Sequence, residues 1–250
     1  MFYVAIHTRN NAPTIGLVLW KIRQIFEQFP REYHILVADD SSSDDTADVL
    51  EPYQQALPLT VFRYDQPQGY AASIEALCRE ALSRSERVKR DTLITLPADF
   101  SISPEVLPDL IRRMESGADV VVGESDVPTA PWLRRLVRRL ASRLLQPGVQ
   151  LTGVNDVISG VYAFRLVTLK GCLRERPNGL LDTDGTCANA ELLARTAARA
   201  RQITAVTIAP GPVQQQSANQ EGSLALALNL FRAGRRLKVP APDTQVQRAS

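Results

Sequence analysis

Apolar positions in the first half of the chain alternate between short continuous runs and stretches of helical period. Phe2 to Ile6 form a run, the polar Thr8-Arg-Asn-Asn-Ala-Pro13 follows, and Ile15, Val18, Leu19, Ile22 and Phe26 then recur at the spacing of an amphipathic helix. His34 to Ala38 repeats the strand signal and stops at Asp39-Asp-Ser-Ser-Ser-Asp-Asp-Thr46, beyond which Ala47, Val49 and Leu50 open a second helix. Leu59 to Phe62 predicts a third strand, and a helix from about Ala71 to Leu82 follows Gln66-Pro-Gln-Gly69. Thr92 to Leu96 reads as a buried strand ending at Pro97-Ala-Asp99. Ser103 then caps a helix over Pro104 to Met114, with Pro104 and Glu105 suited to its first turn. Ala118 to Val122 is one more strand. Strands alternating with helices predict a mostly parallel sheet covered on both faces.

The second half is less regular. Pro131 to Leu145 reads as an amphipathic helix, with Leu133, Leu136, Val137, Leu140 and Leu144 on one side and arginines mostly on the other. Val157 to Phe164 predicts a strand interrupted at Gly160, Ala188 to Ala200 a helix, and Ile203 to Ile208 a strand. Gln214 to Gly222 reads as a polar loop and Ser223 to Leu237 as a helix. Through about residue 123 the architecture is nucleotide-binding α/β, and the expected organisation is one α/β domain over 1–212, a polar loop and amphipathic helix over 213–238, and a flexible tail over 239–250, rich in Pro, Gln and Ser.

Composition changes this picture little. With 250 residues, 44% of them hydrophobic and 22% charged, the chain has the make-up of a soluble globular protein. Its net charge of +2 is less informative than its distribution, because Arg134, Arg135, Arg138, Arg139 and Arg143 fall on one predicted helix and Arg232, Arg235, Arg236 and Lys238 cluster near the end. Such clusters suit either a solvated face or an anionic membrane surface. They have few interleaved aromatics, which argues against nucleic acid. Cys78, Cys172 and Cys187 are scattered without a C-x-x-C pair, so neither a zinc site nor a disulfide framework is expected. The start lacks a signal-peptide pattern and no run approaches the roughly 18 apolar residues of a span. A cytoplasmic protein, peripheral at the inner face of a membrane, is the expectation.

Candidate chemistry gathers where apolar runs meet acids. Asp99 and the pair Asp39 and Asp40 stand just beyond strand ends, the edge at which open α/β sheets bind ligands. Carboxylates there suit a nucleotide in two roles: accepting hydrogen bonds from a base N–H, and holding a divalent cation against phosphate charge. The alternative for the Asp-Ser run is a solvated loop and helix cap. His7 and His34 are expected to be structural.

The order of these motifs resembles the GT-A glycosyltransferases of family 2, and most closely their polyprenyl-phosphate (dolichyl-phosphate) mannosyl- and glucosyltransferase branch. The resemblance runs over roughly residues 2 to 236 through Thr8-Arg-Asn10, Asp39 to Thr46, Gly69, Pro97-Ala-Asp99, Asn155-Asp-Val-Ile-Ser-Gly160, Glu191-Leu-Leu and Gly222-Ser223. It implies a Rossmann-like GT-A domain with a C-terminal helical extension, moving a sugar with inversion from a GDP- or UDP-sugar to a polyprenyl phosphate. In that reading Asp40 meets the base, and Thr8, Arg9 and Asn11 lie near base and ribose. Asp39, Gly69, Ala98, Ser159 and Gly160 line the nucleotide-sugar site. Asp99 binds Mg²⁺ or Mn²⁺, and Asp156 and Glu191 face sugar and acceptor. A lipid phosphate needs no general base, whereas a hydroxyl acceptor would require one, with Asp156 the candidate. This chain departs from the pattern at Pro97, where the usual Asp-x-Asp has an acid, at Asn11, at Asp126, and in the neutral run Gln214 to Gln220. The departures imply either a donor held differently, by Arg9, Arg63 or an arginine of the 134–143 helix, or an activity that is weak or lost. Two alternatives keep the fold: a hydroxyl acceptor, or a non-catalytic binding protein.

Overall fold

A computed structural model of the chain describes residues 1–125, 132–146, 148, 151, 154–209, 222–240 and 246–248. The first half follows the predicted alternation: β1 (Phe2–Thr8), α1 (Ala12–Gln28), β2 (Tyr33–Asp39), α2 (Thr46–Ala56), β3 (Leu59–Arg63), α3 (Tyr70–Arg84) and β4 (Thr92–Pro97). A 3-10 turn at Pro104–Val106 leads into α4 (Leu107–Glu115), and the Ser103 hydroxyl accepts from the Glu105 N–H as the sequence predicts. Then come β5 (Val120–Ser125), α5 (Trp132–Leu144), β6 (Tyr162–Arg165), α6 (Leu166–Glu175), α7 (Gly185–Ala197), β7 (Ile203–Ile208), α8 (Ser223–Arg236) and β8 (Val246–Arg248).

The eight strands form one sheet in the order β3-β2-β1-β4-β6-β5-β7-β8. All neighbours are parallel except around β6, which runs antiparallel to both β4 and β5. Strand alternation divides the core in two. Tyr3, Ala5, Leu36, Leu93, Val120, Tyr162 and Phe164 face the layer of α3, α6, α7 and the two basic helices. Val4, Ile6, Ile35, Val37, Ile94, Val121 and Ala163 face α1, α2 and α4. The three cysteines are buried thiols.

Three differences from the sequence expectation have physical causes. The strand expected over Val157 to Phe164 begins only at Tyr162, because Gly160 takes a positive φ of 75° and turns the chain into the sheet. The segment expected as a loose tail contributes β8, which pairs with the otherwise open edge of β7. Leu136, grouped by periodicity with the apolar side of α5, is exposed: Val137 and Ala141 define the buried face, and a residue one position earlier stands about 100° around the helix.

The C-terminal helix packs against α5 and α7, and Leu226, Leu230, Ala233 and Leu237 join the same core as Tyr3 and Leu36. Its closest approach to α5 is at Gly234, where a Cβ would lie 2.5 Å from the Leu145 carbonyl oxygen. The Gly148 N–H donates to the Gly234 carbonyl and the Gly148 carbonyl accepts from Val239, which ties the end of one helix to the end of the other.

Candidate active site

The carboxyl ends of β1 to β4 lie side by side. Thr8 is in register with Asp39, Asp39 with Arg63, and His7 with Pro97. The loops leaving β1 and β2 are zipped together by hydrogen bonds. The Asn10 N–H donates to Ser42 Oγ, the Asn11 N–H to Thr46 Oγ1, and the Asn10 side-chain oxygen accepts from the Ser43 N–H at 2.8 Å. Asp44 joins the two helix starts: one carboxylate oxygen accepts from the Thr46 N–H and hydroxyl, the other from the Ala12 N–H. The acidic run therefore meets the first N–H groups of α1 and α2 from Asp44, one residue before the Asp45 N-cap, and is buried at Asp39 and Asp40.

Asp44 gives a pH signature. Partial burial pushes its carboxyl up, but hydrogen bonds from Thr46 and Ala12 outweigh this and hold it below the ordinary carboxylate value. A depressed folded pKa adds stability that is fully present above the unfolded value and lost as pH falls through the folded one. Asp44→Ala is expected to cost about 1–2 kcal/mol at neutral pH. The gap between its thermal midpoint and that of the unsubstituted chain should narrow as pH is lowered below the carboxylate range; an unchanged gap would remove these hydrogen bonds from the account.

Asp40 is buried, and its two oxygens accept from the backbone N–H groups of Gln68 at 2.6 Å and Gly69 at 3.1 Å. It clamps the turn that opens α3. Gly69 has φ +89° there, and a Cβ would sit 2.8 Å from Asp184 Oδ2. Asp184, just before α7, accepts from the Ala71 N–H at 2.8 Å. The Tyr70 hydroxyl donates to the Asn189 side-chain oxygen at 2.5 Å, with burial pushing the phenol pKa up and keeping that proton in place. His7 meets Tyr70 edge-on and comes within 3.8 Å of Asp40, and burial lowers its pKa against the opposing pull of that carboxylate.

Asp39 differs from its neighbour. One oxygen accepts from the Ser42 N–H and hydroxyl, while Oδ2, fully buried, has no hydrogen-bond partner and lies 3.7 Å from Arg63 Nε. Thr8 Oγ1 and His7 Nε2 are likewise buried without hydrogen-bond partners. A buried polar atom without a hydrogen bond is costly, and three such atoms gather at this one strand edge, two of them within 3.8 Å of an oppositely charged or titratable group. Asp40, expected against the base, is engaged by the turn; the open acceptor belongs to Asp39. Asn11 is also engaged locally, its amide donating to the Arg9 carbonyl, while the Arg9 side chain is exposed.

Asp99 stands one turn beyond β4. Ala98, Phe100 and Ile102 are buried in the core with α4, which leaves Asp99 and Ser101 on the outer side, the Asp99 carboxylate accepting from the Ser101 N–H at 3.0 Å. Among the described residues no group of three or more His, Cys, Asp and Glu side chains gathers around it or elsewhere.

The antiparallel β6 starts at this same edge, so it brings Ser159 and Gly160 beside the end of β4. Thr95 Oγ1 donates to the Gly160 carbonyl at 2.8 Å and accepts from the Tyr162 N–H. The Ser159 hydroxyl accepts from the Val161 N–H. Asp156 is buried and pairs with Arg138 of α5 at 2.5 Å, and the Arg138 Nε atom is buried without a hydrogen bond. Glu191, expected to face the sugar, is fully buried instead. Its carboxylate accepts from the N–H groups of Asp182 and Thr183, the Thr183 hydroxyl and the Arg195 guanidinium. It anchors the loop that holds Asp184. Sequence reasoning missed Asp184 and Asn189, for which the only signal was a capping-type residue before a helix. Asp126 and Gln214 to Gln220 lie outside the described residues.

Comparison with known proteins fits this geometry. The profile described as Glycosyl transferase family 2 matches residues 3–169. The chain belongs to glycosyl transferase family 2. This family 2 chain is 26% identical over 147 residues to the dolichol-phosphate mannosyltransferase of Pyrococcus furiosus, covering 56% of the chain and 39% of that protein. It is 28% identical over 196 residues to the polyprenol monophosphomannose synthase of Mycolicibacterium smegmatis, covering 76% of the chain and 69% of the relative. It thus spans well under half of the first and about two thirds of the second. Glucosyl-3-phosphoglycerate synthase of Mycobacterium tuberculosis has the same fold, with a TM-score of 0.64 at 18% identity over 96% of this chain and 81% of that one. That protein has been crystallised with Mn²⁺, uridine diphosphate and phosphoglyceric acid. The predicted GT-A architecture is borne out, with a mostly parallel sheet flanked by helices.

Proposed function

We propose that this chain transfers a sugar, with inversion at the anomeric carbon, from a GDP- or UDP-sugar to a polyprenyl phosphate, working peripherally at an anionic membrane surface. The observation that supports this most is the row of buried polar atoms without hydrogen bonds, Thr8 Oγ1, Asp39 Oδ2 and His7 Nε2, at the strand edge that also presents Asp99 and Gly160. The names of the family 2 relatives support the lipid acceptor.

In this reading Asp39 accepts a base N–H, and Thr8 completes the base pocket. The clamp from Asp40 to Gln68 and Gly69 holds the wall opposite, and Ala98 is part of its floor. Arg9 and Arg63, both exposed at the rim, supply positive charge to the diphosphate. Asp99 fits a divalent cation as one ligand among several, because a hard cation such as Mg²⁺ or Mn²⁺ takes its remaining oxygens from diphosphate and water. Bound there, the cation would offset charge developing on the departing nucleoside diphosphate. Ser159 and Gly160 border the sugar. Arg138 orients Asp156 beside them, and Glu191 acts from behind as a positioning residue. A lipid phosphate is an anion at neutral pH and attacks without a base. With a hydroxyl acceptor, Asp156 would take the proton.

Incubation of the chain with labelled GDP- and UDP-sugars, polyprenyl phosphate and Mn²⁺ tests the reading. Label in the lipid extract is expected. Label in water-soluble product would move the assignment to a hydroxyl acceptor. No transfer, together with no calorimetric binding of any nucleotide, would overturn both. Asp99→Ala is expected to remove the metal-dependent part of nucleotide binding.

A further inference from the structure

The helices α5 and α8 each bury one face and expose another that is not polar in the usual way. On α5, Val137 and Ala141 are buried, while Trp132 is 74% exposed and Leu136 also faces solvent. On α8, Leu226, Leu230 and Ala233 are buried, while Leu224 is 75% exposed and Leu228 and Phe231 share its outward side. Five of the eight exposed large hydrophobic side chains among the described residues therefore sit on these two helices, which pack against each other.

Charge says what would cover them. Together the two helices contain eight of the chain's 29 Lys and Arg residues and none of its 27 Asp and Glu residues, so the rest of the chain is net acidic. Arg139 and Arg143 lie on the outward side of α5. Arg235 stacks over the exposed Phe231 ring at 5.1 Å on α8. The crossing at Gly234 joins the basic last turns of both helices. Exposed apolar residues flanked by arginines and free of acids suit the boundary between anionic headgroups and acyl chains, where long cationic side chains reach the phosphates while rings and leucines enter the apolar layer. No helix among the described residues is long and apolar enough to cross a membrane, so the fit is to lying on a bilayer.

We propose that the outward faces of α5 and α8 are the surface by which this chain docks on an anionic bilayer. The inference rests on the reading of a membrane-borne acceptor and names the surface that meets that membrane. Because Arg138 reaches from α5 to Asp156, docking also sets the bilayer beside the proposed acceptor side of the site.

Co-sedimentation of the full chain with vesicles of phosphatidylcholine alone, and of phosphatidylcholine with phosphatidylglycerol, tests it, with polyprenyl phosphate left out of both. Binding to the anionic vesicles that falls with added salt is expected. Each arginine removed among Arg139, Arg235 and Arg236 should weaken binding about fivefold, the factor corresponding to about 1 kcal/mol. Leu224→Glu with Phe231→Glu should abolish binding, with the thermal midpoint and calorimetric nucleotide binding unchanged. Vesicle binding that these variants leave intact, or no binding to either vesicle, overturns the surface. So does a sedimentation-velocity dimer that the glutamate variants dissociate, in a chain that binds no vesicles. Transfer to a detergent-dispersed acceptor is read separately. In the unsubstituted chain, absence of transfer with vesicle binding present counts against the transfer reading alone, and transfer with no vesicle binding counts against the surface alone.

Discussion

Asp40→Ala is expected to lower stability by about 3–5 kcal/mol and to abolish nucleotide binding, the largest effect of any single change at the strand edge. The carboxylate is buried and accepts two short backbone hydrogen bonds, from Gln68 and Gly69. Hydrogen bonds to a charged group are worth about 1.5–3 kcal/mol each, and alanine offers the two N–H groups nothing in return. The turn they fix begins α3 in a backbone conformation that only glycine adopts easily, with φ +89° at Gly69. Losing the clamp therefore also frees Tyr70, Asn189 and Asp184 from their present arrangement. Asp40→Asn, with one acceptor kept, should fall between the two. Urea unfolding gives the stability and calorimetry with nucleotide the binding; an Asp40→Ala chain that unfolds like the unsubstituted one would show that the clamp does not hold the turn.

The second large effect is expected at Glu191. Its carboxylate is fully buried and bound by three donors from Asp182 and Thr183 as well as by Arg195. Glu191→Ala leaves two backbone N–H groups without their acceptor and the guanidinium with Asp182 alone, a change that costs up to about 3–5 kcal/mol for a broken buried pair. Glu191→Gln separates positioning from direct chemistry. A residue that touches the sugar would lose rate with stability retained. A residue that holds the 182–184 loop should lose stability and raise KM, with kcat for saturating donor little changed. Thermal melts alongside steady-state kinetics distinguish the two.

Much of the fold is legible in the sequence because it rests on local signals. The runs in β1, β2, β4 and β7 are mostly apolar with scattered Thr and His, as buried strands are, and those of β2 and β4 end at acids, Asp39 in the last position and Asp99 two residues beyond. The carboxylates Asp39, Asp40 and Asp99 could be placed at one edge from that pattern alone. What each does could not, since it depends on partners far along the chain: Gln68 and Gly69 for Asp40, Thr183 and Arg195 for Glu191, Arg138 for Asp156. The helix α6 has no capping side chain and follows β6 directly, so nothing punctuates its start. The direction of β6 was hidden for a similar reason: four residues specify a strand but not which way it enters a sheet.

That direction decides which part of the chain meets the strand edge twice. Because β5 runs parallel to β4 and β6 runs against both, the stretch between Ser125 and Tyr162 leaves the sheet and returns to it at the same edge. Within that excursion α5 packs on α8 and reaches Asp156 through Arg138, whereas the loops around Thr8, Asp39 and Gly69 are stitched to one another and to two helix starts. The strand edge is thus bounded on one side by loops bonded to each other and on the other by a helix held against the C-terminal one.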